Sequence, residues 1–367
     1  MDASAPADTD SIKAPPRLVI DGRVIGAGHA PYVIAEVSGN HNKDLGKALA
    51  MIDAAKAAGA DAVKFQTYTA DSLTVPSDKP EFQITSGTWA GWNLHRLYQE
   101  AATPYDWFPR LFAHARDIGI TLFSSPFDAD AVDRLEDWGA PAYKIASNEL
   151  TDWPLVQRAA RTGKPLILST GTATLEEIEA TAAFLARAGA PDYALLHCVS
   201  AYPAPLSSAH LKTIPALAER FGVVAGFSDH TLGVTAPIVA AALGAAIIEK
   251  HFILDRSEGG PDSSFAIEPA ELELLCRSVK DAHDTLGEVR FGMKEAETTS
   301  PIFKRCFYTT RAIKAGEVIG PDNVRAIRAR DGLPARRFEA VFGAIARTDI
   351  AAHEPVTEDQ IDCGAAP

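Results

Sequence analysis

Short apolar, β-branched runs recur along the chain, and each is followed by an Ala-, Leu- and Glu-rich stretch of helical character. The runs are 32–38 (YVIAEVS), 62–67 (AVKFQT), 121–127 (TLFSSPF), 142–147 (AYKIAS), 165–171 (PLILSTG), 193–199 (YALLHCV), 223–230 (VVAGFSDH) and 245–252 (AAIIEKHF). Each has the length of a buried strand, and strands alternating with helices predict βαβ units in a parallel sheet. Eight such units close naturally into a (β/α)8 TIM barrel, an α/β fold. A doubly wound open sheet is the competing architecture. No G-x-G-x-x-G follows the first run, and the even spacing of the eight favours closure.

The pattern breaks after Leu286, so the barrel is expected over 17–286. Residues 287–302 mix polarity without a period and read as a linker. The stretch 303–367 carries a weak repeat in which Ile313–Val324 aligns with Ile350–Ile361, with Ala315/Ala352, Glu317/Glu354 and Asp322/Asp359 in register. Two copies of a short strand, a tight turn and a capped helical turn predict a small, loop-rich domain with a pseudo-twofold axis. Within the barrel, Thr69–Arg116 is too long for an ordinary strand-to-helix connection and holds Trp89, Trp92, Tyr98, Tyr105 and Trp107. Long loops at this rim are commonly functional lids, and aromatic residues in one serve either the site or the packing of the lid itself.

Composition narrows the function classes. A length of 367 residues suits a barrel of roughly 250 residues plus an appendage. No run approaches the roughly 20 apolar residues of a membrane span. The first sixteen residues are acidic and Pro/Ala-rich, without the basic start or apolar run of a secretory signal, and read as a disordered tail. Four scattered cysteines, none in a C-x-x-C spacing, suit reduced thiols in the cytoplasm. A formal net charge of −13 opposes binding to nucleic acid or an anionic membrane. It does not oppose an anionic small molecule, because a few lysines converging in one pocket act locally.

Catalytic groups of such barrels sit at the C-terminal ends of strands. There the chain supplies Glu36 on the first run, Lys64 and Gln66 on one face of the second, Lys144 and Ser147 on the fourth, and Ser169 on the fifth. Ser200 and Tyr202 follow the sixth, Ser228 and His230 end the seventh, and Glu249 and His251 share a face of the eighth, with Lys250 pointing the other way. A lone lysine at a strand end is ordinarily a solvated rim charge, and a lone histidine a hydrogen-bonded structural residue. Convergence changes both readings. His230 and His251 come from neighbouring strands and can share a divalent metal; with no Cys or third His beside them the site stays open, which suits Mn²⁺ best, then Mg²⁺ or Co²⁺. Lys64 and Lys144 with Ser147, Ser169 and Ser228 suit a phosphate and a carboxylate together. The rival reading makes one lysine a Schiff-base nucleophile toward pyruvate.

Ile34-Ala-Glu-Val-Ser-Gly-Asn-His-Asn42, Val63-Lys-Phe-Gln-Thr67, Tyr143-Lys-Ile-Ala-Ser147, Leu168-Ser-Thr-Gly171, Phe227-Ser-Asp-His-Thr231 and Gly260-Pro-Asp262 together resemble the sialic acid synthase family, from about Pro31 to Ile361. The resemblance implies condensation of phosphoenolpyruvate with an N-acetylated amino sugar on a TIM barrel followed by an antifreeze-like (SAF) domain that swaps across a homodimer. By motif it implies Glu36 as the catalytic carboxylate, acting with Lys64 and Lys144, and His230 and His251 as the metal ligands. Phosphoenolpyruvate would be held by those lysines with Ser147, Ser169 and Ser228, and the sugar by Gln66, Tyr202, Glu249 and Asp262. Asn40, Ser125, Ser200 and Phe265 complete the implied substrate contacts, and Arg328 would reach the other subunit's substrate. There the chain departs from the family's usual Arg-Pro-Gly, reading Arg328-Ala-Arg330. Ser38–Asn42, Ser200–Pro205, Pro261–Phe265 and the lid runs at Trp89 and Thr103 resemble the pseudaminic acid branch and not the N-acetylneuraminic one. The implied sugar is then 2,4-diacetamido-2,4,6-trideoxy-L-altrose, which needs a less polar pocket, with Phe265 and the lid aromatics either lining it or packed as core.

Overall fold

A computed structural model describes residues 15–298 and 300–362; most of the N-terminal segment read as a disordered tail, and Cys363, lie outside them. The chain divides after Gly287 into two compact units. The first contains eight parallel strands, β1 (Tyr32–Glu36), β2 (Ala62–Thr67), β3 (Thr121–Pro126), β4 (Tyr143–Ile145), β5 (Leu166–Ser169), β6 (Tyr193–Cys198), β7 (Val224–Asp229) and β8 (Ile247–His251). They pair in sequence order, and β8 returns to β1 to close the barrel. All eight runs foreseen from the apolar pattern are strands.

Alternation along each strand builds two cores. Tyr32 and Ile34 of β1 fall in the inner cluster, with Ala62, Phe123, Ile167, Leu196 and Ile247, whereas Val33 and Ala35 fall in the outer cluster against the helices. A barrel interior filled by side chains in this way is a packed core, so chemistry is confined to its rim. Closure also sets the level of the reactive groups: His251 pairs in register with Glu36, and Glu36 with Lys64.

One element was not anticipated. Arg17–Ile20 and Arg23–Gly26 form an antiparallel hairpin whose Leu18, Ile20 and Ile25 join the inner cluster and cover apolar surface that the barrel strands leave over. Its turn is Asp21-Gly22, both at positive φ (49° and 78°), and an Asp-Gly pair between β-branched residues is the signal that would have found it.

The long connection after β2 divides its aromatic residues between the two roles open from sequence. Tyr105 and Trp107 lead into the helix Phe108–Ile118 and pack: the Tyr105 and Phe108 rings lie 6.0 and 4.8 Å from Trp138, and Trp107 lies 5.3 Å from His41. Trp89 and Tyr98 instead face a cavity at the barrel mouth. Trp92 is exposed.

In the second unit the foreseen repeat is a physical pairing. Ile313 and Ile350, the equivalent first residues of the two copies, exchange backbone hydrogen bonds of 2.9 Å in both directions. Asn323 accepts from Gly320 N at 2.9 Å and Gln360 from Thr357 N at 3.0 Å, which is the same turn made twice. Ile319 and Val356, also equivalent, are fully buried in one small core. Among the described residues no helix is long and apolar enough to cross a membrane.

Candidate active site

The barrel mouth gathers four buried charges: Glu36, Lys64, Lys144 and Glu249 are each at most 5% exposed. Lys64 Nζ lies 2.8 Å from Glu36 Oε2, 3.7 Å from Glu249 Oε1 and 3.1 Å from Ser125 Oγ. Lys144 Nζ donates to Ser169 Oγ at 2.6 Å and to the Ile145 carbonyl at 3.1 Å, with Glu249 Oε1 3.9 Å away. Ser228 Oγ donates to the same Glu249 oxygen at 3.2 Å, and Glu249 Oε2 has no partner. An unpaired buried charge is costly, so two cations and two carboxylates sustain one another here.

The two lysines are nevertheless unlike. Burial opposes charge on both, but at Lys64 the carboxylates of Glu249 and Glu36 outweigh it and hold the ammonium above its usual range. At Lys144 burial wins against the more distant Glu249, and the neighbouring charge of Lys64 adds to it, so its pKa falls. Glu249 is itself held low, because Lys144 and Lys64 overcome the burial that would raise it. An arriving phosphate or carboxylate therefore meets one firmly charged lysine and one whose charge it strengthens.

The serine donors converge as well. Ser147 Oγ accepts from Gly171 N at 3.1 Å, and a Cβ at position 171 would stand 2.7 Å from that hydroxyl and 2.5 Å from Ser200 Oγ. Ser200 Oγ is buried without a hydrogen-bond partner. Gln66 Nε2 donates to Glu36 Oε1 at 2.7 Å and to Ser38 Oγ at 3.2 Å, which fixes the Glu36 carboxylate between an amide and an ammonium. Ser38 is an addition to the site residues foreseen; the sequence marked it only as a member of the Ile34–Asn42 and Ser38–Asn42 motifs.

His230 and His251 lie with ring centroids 5.3 Å apart. The His230 Nδ1 donates to the Val199 carbonyl at 2.9 Å, which leaves Nε2 with a free lone pair, and His251 Nδ1 is buried without a hydrogen-bond partner, 3.4 Å from Asp262 Oδ2. Burial lowers the His230 pKa and keeps the imidazole neutral, as a ligand must be. Among the described residues no three His, Cys, Asp or Glu side chains gather as a metal cage. The donor set fits an open two-imidazole site, with other positions left to water and substrate oxygens.

Two expected substrate contacts, Asn40 and Phe265, have other partners. Asn40 is fully buried and spends its amide on the protein, donating to the Phe252 carbonyl at 3.0 Å and accepting from Asp262 N at 3.3 Å; it positions Asp262. Phe265 is 2% exposed and does not line the cavity, because its ring is packed 5.0 Å from His251 and 5.3 Å from Tyr202 and so backs the site. Arg328 is exposed at the end of the strand Val324–Arg328 in the second unit, its guanidinium 5.8 Å from the Phe303 ring. Lys250 points away from the mouth, as expected, into a buried pair with Asp229.

At the barrel mouth, reached by Gln66, Ser147 and His251, lies a cavity of about 350 Å³, within the range of small-molecule sites. Ser38, Gln66, Ser147, Tyr202, His251 and Asp262 form its polar side; Trp89, Leu94, Leu97 and Tyr98 are among those that close it from the lid. Trp89 Nε1 donates to the Pro261 carbonyl at 2.7 Å and its ring lies 5.2 Å from Tyr202, so the lid is fastened across the mouth.

Comparison with known proteins accords with this geometry. A NeuB family model matches residues 51–291 and a SAF domain model residues 304–362. The chain is 41% identical over 319 residues to a pseudaminic acid synthase of Campylobacter jejuni, covering 87% of this chain and 93% of that protein. It is 40% identical over 334 residues to the pseudaminic acid synthase of Helicobacter pylori, covering 90% and 98%. The crystal structure of an N-acetylneuraminic acid synthetase from Leptospira borgpetersenii in complex with citrate superposes with a TM-score of 0.70 at 32% identity, over 78% of this chain and 95% of that one. Barrel, appended domain and similarity over most of the chain agree, and the protein belongs to the NeuB family, with a SAF domain following its barrel.

Proposed function

We propose that the protein condenses phosphoenolpyruvate with 2,4-diacetamido-2,4,6-trideoxy-L-altrose and water, giving pseudaminic acid and phosphate. The observation that carries this reading is the juxtaposition of two buried lysines with serine hydroxyls, beside two neighbouring histidines, under one cavity with an apolar lid. Similarity to pseudaminic acid synthases over most of the chain supports the choice of sugar.

Lys64 and Lys144, with Ser147, Ser169 and Ser228, bind the phosphate and carboxylate of phosphoenolpyruvate and offset the charge that builds there. Its third carbon forms the new bond to the open-chain aldehyde carbon, and the aldehyde oxygen takes up a proton. Water adds at the second carbon and loses a proton, and the resulting tetrahedral intermediate expels phosphate as the C–O bond breaks and the keto group forms. Glu36, held by Gln66 and Lys64, orients that water or carries its proton. A divalent cation held by His230 and His251, Mn²⁺ in preference to Mg²⁺ or Co²⁺, supplies Lewis-acid polarisation of the aldehyde when bound. Gln66, Tyr202, Glu249 and Asp262 orient the sugar. The same reading makes the protein a domain-swapped homodimer in which Arg328 of a second copy reaches the sugar. Three described cysteines are free and buried, which supports a reducing cytoplasm as its location.

The test is phosphate release from phosphoenolpyruvate with Mn²⁺, comparing the altrose sugar, the legionaminic acid precursor and N-acetylmannosamine, before and after chelation. Chelator-sensitive release with the altrose sugar alone is expected. Release with another sugar keeps the mechanism and replaces the substrate. The lowered pKa of Lys144 is a property of Schiff-base lysines too. Borohydride trapping of a pyruvate adduct on it, without phosphate release, would install the lyase reading instead.

A further inference from the structure

The cavity over the reactive groups has two unlike sides. On the lid side Leu73, Ile84 and Leu94 are only half-buried while lining the cavity, and Phe127 after β3 joins them. The polar groups contributed near them are few. Trp89 Nε1 is already engaged by Pro261, the other lid group with a polar atom is Tyr98, and Tyr68, Asn148 and Glu149 come from the segments after β2 and β4.

The backbone holds this face in place. Ile84 donates from its N–H to the Trp92 carbonyl at 2.9 Å and accepts from Gly91 N at 2.8 Å, closing a small loop. Leu94 opens the helix Leu94–Ala101, whose cap Asn93 accepts from His95 N at 3.0 Å and donates to the Ser77 carbonyl at 2.8 Å. A half-buried, backbone-fixed apolar face toward an internal cavity is a preformed subsite for apolar ligand atoms.

His251, Asp262 and Gln66 line the polar side, and the synthase reading, on which this inference rests, directs the aldehyde end of the sugar toward them. The far end of the six-carbon chain is then directed to the lid. We propose that Leu73, Ile84, Leu94 and Phe127 form an apolar subsite that takes the terminal methyl of a 6-deoxy amino sugar and rejects a sugar ending in a hydroxymethyl group. A methyl there exchanges water for contacts with these side chains, whereas a hydroxyl loses its hydrogen bonds to water and finds no donor or acceptor on these four side chains. Such a wall discriminates by about 10²-fold, the level at which an apolar pocket rejects an added hydroxyl.

The experiment measures kcat/KM for 2,4-diacetamido-2,4,6-trideoxy-L-altrose and for its 6-hydroxy counterpart in the wild type, Ile84→Thr, Leu94→Gln and the conservative Ile84→Val. The wild-type preference for the 6-deoxy sugar is expected near 10²-fold. It should shrink about tenfold or more in the two polar variants, persist in Ile84→Val, and leave the KM for phosphoenolpyruvate unchanged. Each ratio is internal to one enzyme, so partial loss of folded protein cancels, and the two positions lie on separate lid segments should one variant fail to fold. A wild type that turns over the deoxy sugar but shows the same ratio in both polar variants overturns the subsite alone. A wild type inactive on both sugars removes the synthase reading and the subsite with it.

Discussion

Lys250 and Asp229 form a fully buried ion pair on the outer side of the barrel mouth, and Lys250→Met is the perturbation that tests its role. Lys250 Nζ lies 2.5 Å from both Asp229 Oδ2 and the Thr231 carbonyl, and Asp229 Oδ1 accepts from Thr231 N at 2.8 Å. These contacts grip the residues on both sides of His230 and the residue before His251. Methionine fills the aliphatic volume but leaves the Asp229 carboxylate buried with only the Thr231 amide as partner. Breaking one half of such a pair costs about 3–5 kcal/mol. At roughly 2–4 °C per kcal/mol for a domain approaching this size, the barrel transition should fall by about 6–20 °C. Replacing both partners, as Asp229→Asn with Lys250→Met, removes the stranded charge and should recover at least half of the loss. Urea unfolding followed by far-UV circular dichroism reads both variants, provided the slopes agree. Titration calorimetry with Mn²⁺ should in addition show weakened binding in the single variant at temperatures where it is folded. A single variant destabilised by less than about 1 kcal/mol, or a double variant no better than the single, would refute the claim that charge pairing, and not packing, is what matters here.

Two further outcomes follow from perturbed titrations. His41 is fully buried, donates from Nε2 to Thr103 Oγ1 at 3.0 Å and accepts from Lys43 N at Nδ1, and its pKa is lowered from 6.5 to about 4 by burial and then by Lys43 and Lys47. Between those values the unfolded chain binds the proton and the folded one does not, so stability is complete above pH 6.5 and is lost as pH falls toward 4, by about 3 kcal/mol from this group. The urea midpoint of His41→Asn should depend less on pH over that window, and an unchanged dependence would remove the assignment. Lys144, with its pKa lowered, loses charge on the alkaline side before an ordinary lysine does. The KM for phosphoenolpyruvate should therefore rise as pH increases through that range, and Lys144→Arg should move the rise to higher pH. An identical profile in the arginine variant would show that another group sets it.

The chain order of apolar runs was enough to foresee the barrel, because parallel strands need crossover helices and eight units close on themselves. Period-two alternation likewise placed Lys64 with Gln66 and Glu249 with His251, and sent Lys250 away from the mouth. The repeat in the second unit was legible because both copies make the same capped turn. The hairpin at Asp21-Gly22 carries its own signal, an Asp-Gly pair between short β-branched runs.

Other features depended on contacts between residues far apart in the chain. Asn40 carries the chemistry of a substrate contact, but Phe252 and Asp262, more than 200 positions away, occupy both ends of its amide. Phe265 has the character of a pocket wall, yet packing behind the histidines takes it out of the cavity. The unequal lysines, and the division of the lid aromatics between core and site, are likewise invisible in a string of letters. A strand's period fixes which face a side chain takes, whereas its charge state and accessible surface are set by whatever neighbours barrel closure brings within a few ångströms.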